Sequence, residues 1–115
     1  MDKLQMLVAA IAAGPILALA HHGWSEYDAG KTLKLTGQVT ELGYDNPHAF
    51  VKLKTADKTW VAILAPPSRL DARGLPKGAL KVGNAATVEG YPSKSKAEEM
   101  RAERLIVGGK VVELR

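Results

Sequence analysis

The sequence predicts an all-β fold, a small OB-like antiparallel barrel of five to six strands with one short helix between strands three and four. Three observations predict it. Short segments alternate apolar and polar residues with a period of two. Turn residues separate these segments, and the only helix signal follows the third of them. Closure into a barrel also removes the exposed strand edges that a chain this small could not otherwise cover.

The first three strands are predicted from alternating apolar and polar residues and from the turn residues between them. Residues 33–40 alternate apolar and polar side chains, which predicts a strand with one buried face. Residues 48–54 alternate again after Asn46-Pro47 and predict the second strand. A short turn over residues 56–58 leads into a third, more apolar strand over residues 59–65.

The helix is predicted directly after Pro66-Pro67. Ser68 is expected to cap it, with Asp71 in its first turn and Gly74 just past its end. This places one short helix between the third and fourth strands, as in an OB fold.

The last strands follow the helix. A Val82-Gly83-Asn84 turn precedes a fourth strand that runs through Val88, and the polar residues 93–99 predict a loop. Residues 100–107 and 110–114 are expected to pair around Gly108-Gly109, because two glycines between apolar segments are a hairpin signal. Charges alternate over residues 94–104, which indicates a solvated loop or strand edge.

Composition excludes several classes of function. The 115 residues have room for one domain, and 46% of them are hydrophobic, as in an ordinary globular protein. The absence of cysteine excludes disulfides, thiolate metal sites and thiol catalysis. The formal charge of +4 is scattered along the strands rather than collected in a basic arm. There is no G-x-S-x-G motif, phosphate-binding glycine loop or telling carboxylate pair, so we do not expect an enzyme.

The first twenty residues are interpreted as a secretory signal peptide. Residues 4–19 are nearly all apolar, with a Gly14-Pro15 break, and Ala18-Leu19-Ala20 is a small-x-small cleavage site. Residues 1–20 are then the signal peptide, and residues 21–115 form a single OB-like domain that is periplasmic or secreted. Export makes nucleic acid an unexpected partner, and cleavage leaves no stable membrane anchor. The alternative is an uncleaved membrane anchor.

Cleavage after Ala20 would give His21 a free amino group. That amine and the imidazole Nδ1 can close a chelate ring on a metal ion, and His48 would supply a third nitrogen. Three nitrogens in a tetragonal plane suit Cu(II), although zinc or nickel could use the same atoms. The parity of His48 matches that of Phe50, so its side chain is expected to point away from the core.

Several other residues are candidates around this site. His22 could serve as an auxiliary or alternate ligand, and Glu26, Asp28 or Asp45 could act as axial or outer groups. Most of the larger aromatic residues are expected to pack in the core, although a ligand could stack on them; they are Trp24, Tyr27, Tyr44 and Trp60.

These motifs resemble those of a known family. Ala20-His21-His22-Gly23-Trp24 after a signal peptide, then Asn46-Pro47-His48, resembles a family of small exported bacterial proteins of unknown function. Its members typically read A-H-H-[S/G]-[F/W] and N-P-H here, and the similarity spans nearly all of the mature chain. Gly83-Asn84 replaces the usual Gly-Asp of that family. The resemblance implies export and a small β-barrel, and it supplies no activity.

The local chemistry resembles a different group of proteins. An N-terminal histidine used in this way, a histidine brace, is similar to the sites of periplasmic copper-resistance carriers and of oxidative copper enzymes that attack polysaccharides. The primary hypothesis is a periplasmic Cu(II)-binding protein that buffers or delivers copper and is not an enzyme. The alternative is an envelope interaction module that binds a protein or small ligand without metal. A copper-dependent oxidase is a third hypothesis.

Overall fold

The computed structural model describes residues 23–115, which fold into a closed five-stranded barrel with one added strand. The strands are β1 (Leu33–Gly43), β2 (Phe50–Lys54), β3 (Thr59–Ile63), β4 (Ala85–Pro92), β5 (Glu99–Val107) and β6 (Lys110–Glu113). A 3-10 turn, Trp24–Glu26, precedes them, and helix α1, Pro67–Ala72, lies between β3 and β4. The predicted OB-like barrel and the place of its helix are confirmed.

The barrel closes through β1 and through one parallel contact. The carboxyl half of β1 pairs antiparallel with β2, and its amino half pairs antiparallel with β4. Strand β3 then pairs parallel with β5, and β4 pairs antiparallel with β5. Strand β1 therefore pairs with both β2 and β4, and the β3–β5 pairing closes the barrel.

The alternating residues fill the barrel as predicted. Val39, Val51, Leu53, Val88 and Leu105 are each at most 1% exposed and lie in one apolar cluster. Such side chains lose their contact with water on folding, and each contributes roughly 1.5–3 kcal/mol by burial. The β5–β6 hairpin turns at Gly108-Gly109, both with positive φ, which confirms the hairpin prediction.

The start of the helix differs from the prediction. The N-cap is Pro66 and not Ser68, and Pro67 occupies the first turn, where its missing N–H costs no hydrogen bond. Asp71 consequently lies in the second half of the helix rather than in its first turn. Gly74 does follow the helix end, with φ of 92°.

Strand β5 contains a bulge that was not predicted from the sequence. Its pairing with β4 shifts between Glu89 and Gly90, because Glu103 is an extra residue on β5. As a result, Met100 and Ala102 face the core on one side of the bulge, and Leu105 faces the core on the other. Across residues 23–115, no helix is long and apolar enough to cross a membrane.

Candidate functional site

A cavity of about 350 Å³ lies on the outer face of the barrel, over β2, β3 and β5. Its floor is one row of paired residues, because Phe50 pairs with Ile63 and Ile63 pairs with Arg101. Directly paired residues project to the same face of a sheet. Two apolar side chains and one guanidinium therefore lie side by side under a volume typical of small-ligand pockets.

Two loops contribute walls of this cavity. The β1–β2 loop contributes Pro47, which follows a cis peptide bond, and His48. The β4–β5 loop contributes Ser93, Ser95 and Lys96. His48 is half-buried and its Nδ1 is shielded from solvent, whereas the next residue, Ala49, belongs to the core. The prediction that His48 points away from the core is confirmed.

The third wall is the strap, which we define as residues 23–28. The strap is hydrogen-bonded along the end of β4 and the β4–β5 loop. The backbone N–H of Asp28 donates to the Pro92 carbonyl at 2.9 Å, and the Lys94 N–H donates to the Glu26 carbonyl at 3.1 Å. These bonds hold the side chain of Glu26 at the cavity that also contains His48.

Tyr27 joins the strap to β5 inside the cavity. Its hydroxyl donates to Glu99 Oε2 at 2.6 Å, and the residue is only 6% exposed. Burial raises the pKa of Tyr27 well above its usual value, and the hydrogen bond to Glu99 and its negative charge raise it further. Tyr27 therefore keeps its proton at neutral pH. Lys96 lies 3.9 Å from the same carboxylate, at Oε1.

Trp24 covers the floor residue Arg101 from the outer side. The Arg101 guanidinium carbon lies 4.5 Å from the centre of the Trp24 ring, and Arg101 is 5% exposed. Burial is the main cause that lowers the pKa of Arg101, and the charges of Arg69 and Arg115 lower it further. The guanidinium nevertheless stays charged, because arginine is not deprotonated in proteins.

The structure discriminates among the carboxylates proposed from the sequence. Glu26 and His48 line the same cavity. Asp28 instead accepts a hydrogen bond from the Gly30 N–H and lies near Lys31, and Asp45 lines a separate pocket. Of the three candidate carboxylates, only Glu26 is at the cavity.

The metal ligands proposed from the sequence are only partly within the described chain. His21 and His22 lie outside the described residues, as does the predicted signal peptide at residues 1–20. Within residues 23–115, no group of three or more His, Asp or Glu side chains is arranged to hold a metal ion. His48 and Glu26 alone would be an incomplete site, so the two N-terminal histidines remain a prediction.

The aromatic residues have mainly structural roles. Tyr27 and Trp60 are buried, as expected for core packing, and the Tyr44 hydroxyl donates to the Leu75 carbonyl at 2.8 Å. Trp24 is half-buried and makes its contacts at the outer side of β5.

Sequence reasoning missed Arg101 and Glu99. The expectation that residues 94–104 form a solvated loop or strand edge is wrong for Arg101, because this side chain is buried and packs against the Trp24 ring. The spacing of the apolar residues in β5 does indicate the bulge that follows Arg101. Ala102 and Leu105 are three positions apart, which breaks the period of two and indicates an extra residue between them.

The comparisons with known proteins identify the fold and a family, without an activity. The model of the family of unknown function DUF6152 matches residues 8–101. Among curated proteins, none matches the chain.

Similar solved structures include several of TiaS, a tRNAIle2 agmatidine synthetase. The complex of TiaS with its tRNA and ATP has a TM-score of 0.53 and 21% identity over 77% of this chain and 20% of that chain. A ZRD-deleted TiaS mutant bound to agmatine has a TM-score of 0.52 and 19% identity over 76% of this chain and 25% of that chain. The chain thus spans only a fifth to a quarter of these two TiaS chains. At this identity the likeness concerns the barrel fold alone.

Proposed function

We propose a function from the cavity itself, because the chain belongs to DUF6152, a family whose function is unknown. The protein is an exported, periplasmic Cu(II)-binding protein that buffers or delivers copper. The ligands are the free amine and imidazole of His21 together with His48, and His22 is an alternate ligand. Zinc and nickel compete for the same nitrogens.

One observation carries this proposal: His48 and Glu26 line the same cavity. Glu26 is only five residues after His21, and five residues span at most about 17 Å of extended chain. The terminal amine of a chain that begins at His21 would thus start within that span of Glu26, which supports a shared site with His48. Glu26 supplies the nearest candidate carboxylate for an axial or outer position.

The deciding experiment compares two amino termini. Protein that begins at His21 and protein with one additional glycine before His21 are titrated with Cu(II). The added glycine moves the amine away from the imidazole and breaks the chelate ring, so we expect a large loss of affinity and a changed copper spectrum. Equal, weak binding by both proteins would refute the brace. Intact-mass measurement of the exported protein establishes whether the native chain begins at His21.

His48→Ala tests the third nitrogen in the same titration. We expect about a tenfold or greater loss of Cu(II) affinity, because one of three nitrogen ligands is removed. Asp45→Asn is the control, since Asp45 lies in the same β1–β2 loop but lines a different pocket. Unchanged affinity in His48→Ala would remove His48 from the site.

A second candidate function uses the same cavity without metal. OB folds bind ligands on the face of strands two and three and on the β1–β2 and β4–β5 loops. The cavity lies at this position, with Phe50 and Ile63 beside the charged Arg101. This favours a small ligand with an apolar body and one polar group. Ligand-induced NMR shifts at Phe50 and Ile63 in metal-free protein, together with no dependence on the His21 amine, would favour this candidate.

A further inference from the structure

The floor of the cavity places a buried positive charge beside an apolar surface. Arg101 is 5% exposed, and it is the third residue of the row that contains Phe50 and Ile63. Neighbouring strands are about 4.8 Å apart, so Arg101 lies one strand spacing from Ile63 and two from Phe50. The floor therefore complements a small molecule that has an apolar body and an anionic end.

The Trp24 ring holds the Arg101 guanidinium in place. The guanidinium carbon lies 4.5 Å from the ring centre, and the positive charge is attracted to the face of the indole. A guanidinium carries five N–H donors in one plane, and a carboxylate accepts from two of them at once. Because Arg101 is withdrawn from bulk water, its attraction for an anion is stronger than that of an exposed arginine.

Other cations add positive charge at this end of the cavity. The charges of Arg69 and Arg115 both lower the pKa of Arg101, after the larger effect of burial, so both act on the same guanidinium. Lys96 lies in the wall formed by the β4–β5 loop. An anion at Arg101 is therefore attracted by more than one positive charge.

Two carboxylates line the same cavity and oppose an anionic ligand. Glu99 accepts the hydrogen bond of the Tyr27 hydroxyl at 2.6 Å and lies 3.9 Å from Lys96, so its charge already has partners. Glu26 lies in the strap. Its negative charge repels an anion and attracts a cation, so a neutral residue at this position reveals the sign of the ligand charge.

We propose that the cavity binds a small organic monocarboxylate, whose apolar body lies on Phe50 and Ile63 and whose carboxylate accepts hydrogen bonds from Arg101. This inference rests on the second candidate function, the ligand site without metal. The cavity volume of about 350 Å³ is near the lower end of the range of small-ligand pockets, about 300–1,000 Å³. The body of the ligand is therefore a single ring or a short chain. Phenylacetate is a probe of this class.

The first test titrates protein that is free of metal and chelator with three probes. Phenylacetate should bind and move the NMR resonances of Phe50 and Ile63. Phenylacetamide has the same body without the charge, and it should bind about tenfold more weakly or worse, because the charge-assisted bonds to the guanidinium are lost. Acetate keeps the charge without the body, and it should also bind about tenfold more weakly or worse.

Arg101→Gln tests the residue that binds the carboxylate. We expect the affinity for phenylacetate to fall about tenfold or more and the affinity for phenylacetamide to stay nearly unchanged. Arg104→Gln is the matched control, because Arg104 bonds to Glu89 and Glu113 and does not line the cavity. Its affinity for phenylacetate should equal that of wild type. A wild-type affinity in Arg101→Gln would overturn the assignment of Arg101.

Glu26→Gln is a second variant, which decides the question if Arg101→Gln does not fold. It keeps the shape of a partly exposed side chain and removes a negative charge from the cavity wall. We expect the affinity for phenylacetate to rise about twofold or more, because a like charge is removed. Unchanged or lower affinity would overturn the placement of the carboxylate in this cavity.

The outcomes distinguish this inference from the function on which it rests. If phenylacetamide binds as tightly as phenylacetate and moves the same resonances, the cavity is a ligand site and only the carboxylate assignment is wrong. If neither compound moves the Phe50 and Ile63 resonances, the assignment and the metal-free ligand site both fail. Loss of phenylacetate binding in Arg101→Gln, with phenylacetamide binding retained, supports the proposal.

Discussion

At the scale of single residues, the Tyr27–Glu99 hydrogen bond is the clearest chemical feature of the cavity. The bond is 2.6 Å long, and Tyr27 is nearly inaccessible to solvent. Both its burial and the carboxylate beside it oppose ionisation of the phenol, so its pKa is raised. Tyr27 thereby fastens the strap to β5 with a donor that keeps its proton throughout the physiological pH range.

The raised pKa of Tyr27 predicts how the stability of the folded protein depends on pH. In the unfolded chain Tyr27 ionises near its ordinary pKa of about 10, whereas the folded protein retains the proton. Above about pH 10 the unfolded state releases a proton that the folded state holds, so the free energy of unfolding falls as pH rises. Below about pH 10, Tyr27 makes its full contribution to the free energy of unfolding.

Tyr27→Phe tests the prediction. At neutral pH we expect the free energy of unfolding to fall by about 1.5–3 kcal/mol, the contribution of a hydrogen bond to a charged group. Chemical denaturation at several pH values should then show the difference between wild type and variant narrowing above about pH 10. A constant difference from about pH 7 to about pH 11 would contradict the assigned cause.

At the scale of elements, the bulge in β5 determines the orientation of the cavity floor. Glu103 is the extra residue, and Gly90 faces the irregular part of β5 from β4. A Cβ atom built on Gly90 would overlap the Arg101 carbonyl oxygen, so the two backbones approach too closely there for any side chain. The glycine and the bulge together allow β5 to change face between Ala102 and Leu105.

Gly90→Ala should therefore destabilise the protein. We expect a loss of about 1–3 kcal/mol, because the added methyl group must displace backbone rather than a mobile side chain. Gly30→Ala is the control, since a Cβ there meets only the Asp28 side chain, at 3.2 Å. Thermal or chemical denaturation measures both. Equal stability of wild type and Gly90→Ala would mean that β4 and β5 are not held at this separation.

At the scale of the whole molecule, barrel closure brings the walls of the cavity together. The β1–β2 loop with His48, the β4–β5 loop and the strap are far apart in sequence, and the β3–β5 pairing sets them around one floor. A ligand that contacts all three walls binds only the folded state. Binding must consequently stabilise the entire domain.

Copper should raise the melting temperature of protein that begins at His21. With free Cu(II) at about a hundred times Kd, linkage gives about 2.7 kcal/mol, which corresponds to about 10 °C or more for a domain of this size. A chelator should reverse the shift, and the form with an added glycine should show much less of it. Equal shifts in the two forms would indicate binding that does not use the terminal amine.

The sequence was sufficient for the order of the six strands and the helix, because most strands carry a period-two pattern and most turns between them contain glycine or proline. It also predicted that His48 lies apart from the core, because the buried alternation of Leu53 and Val51 continues back to Ala49 although β2 itself begins at Phe50. The start of the helix was wrong by two residues, because a proline pair can begin a helix without a side-chain cap.

The sequence by itself determined an all-β barrel, a hairpin at Gly108-Gly109 and an outward-facing His48, because these depend on local periodicity and turn chemistry. Only the tertiary structure decided that Glu26 and His48 share one cavity, that Arg101 is buried beneath Trp24 and that Tyr27 bonds to Glu99. Those contacts join residues far apart along the chain, through a parallel strand pairing and a bulge. Local patterns do not encode the distance between such segments, which is set when the barrel closes.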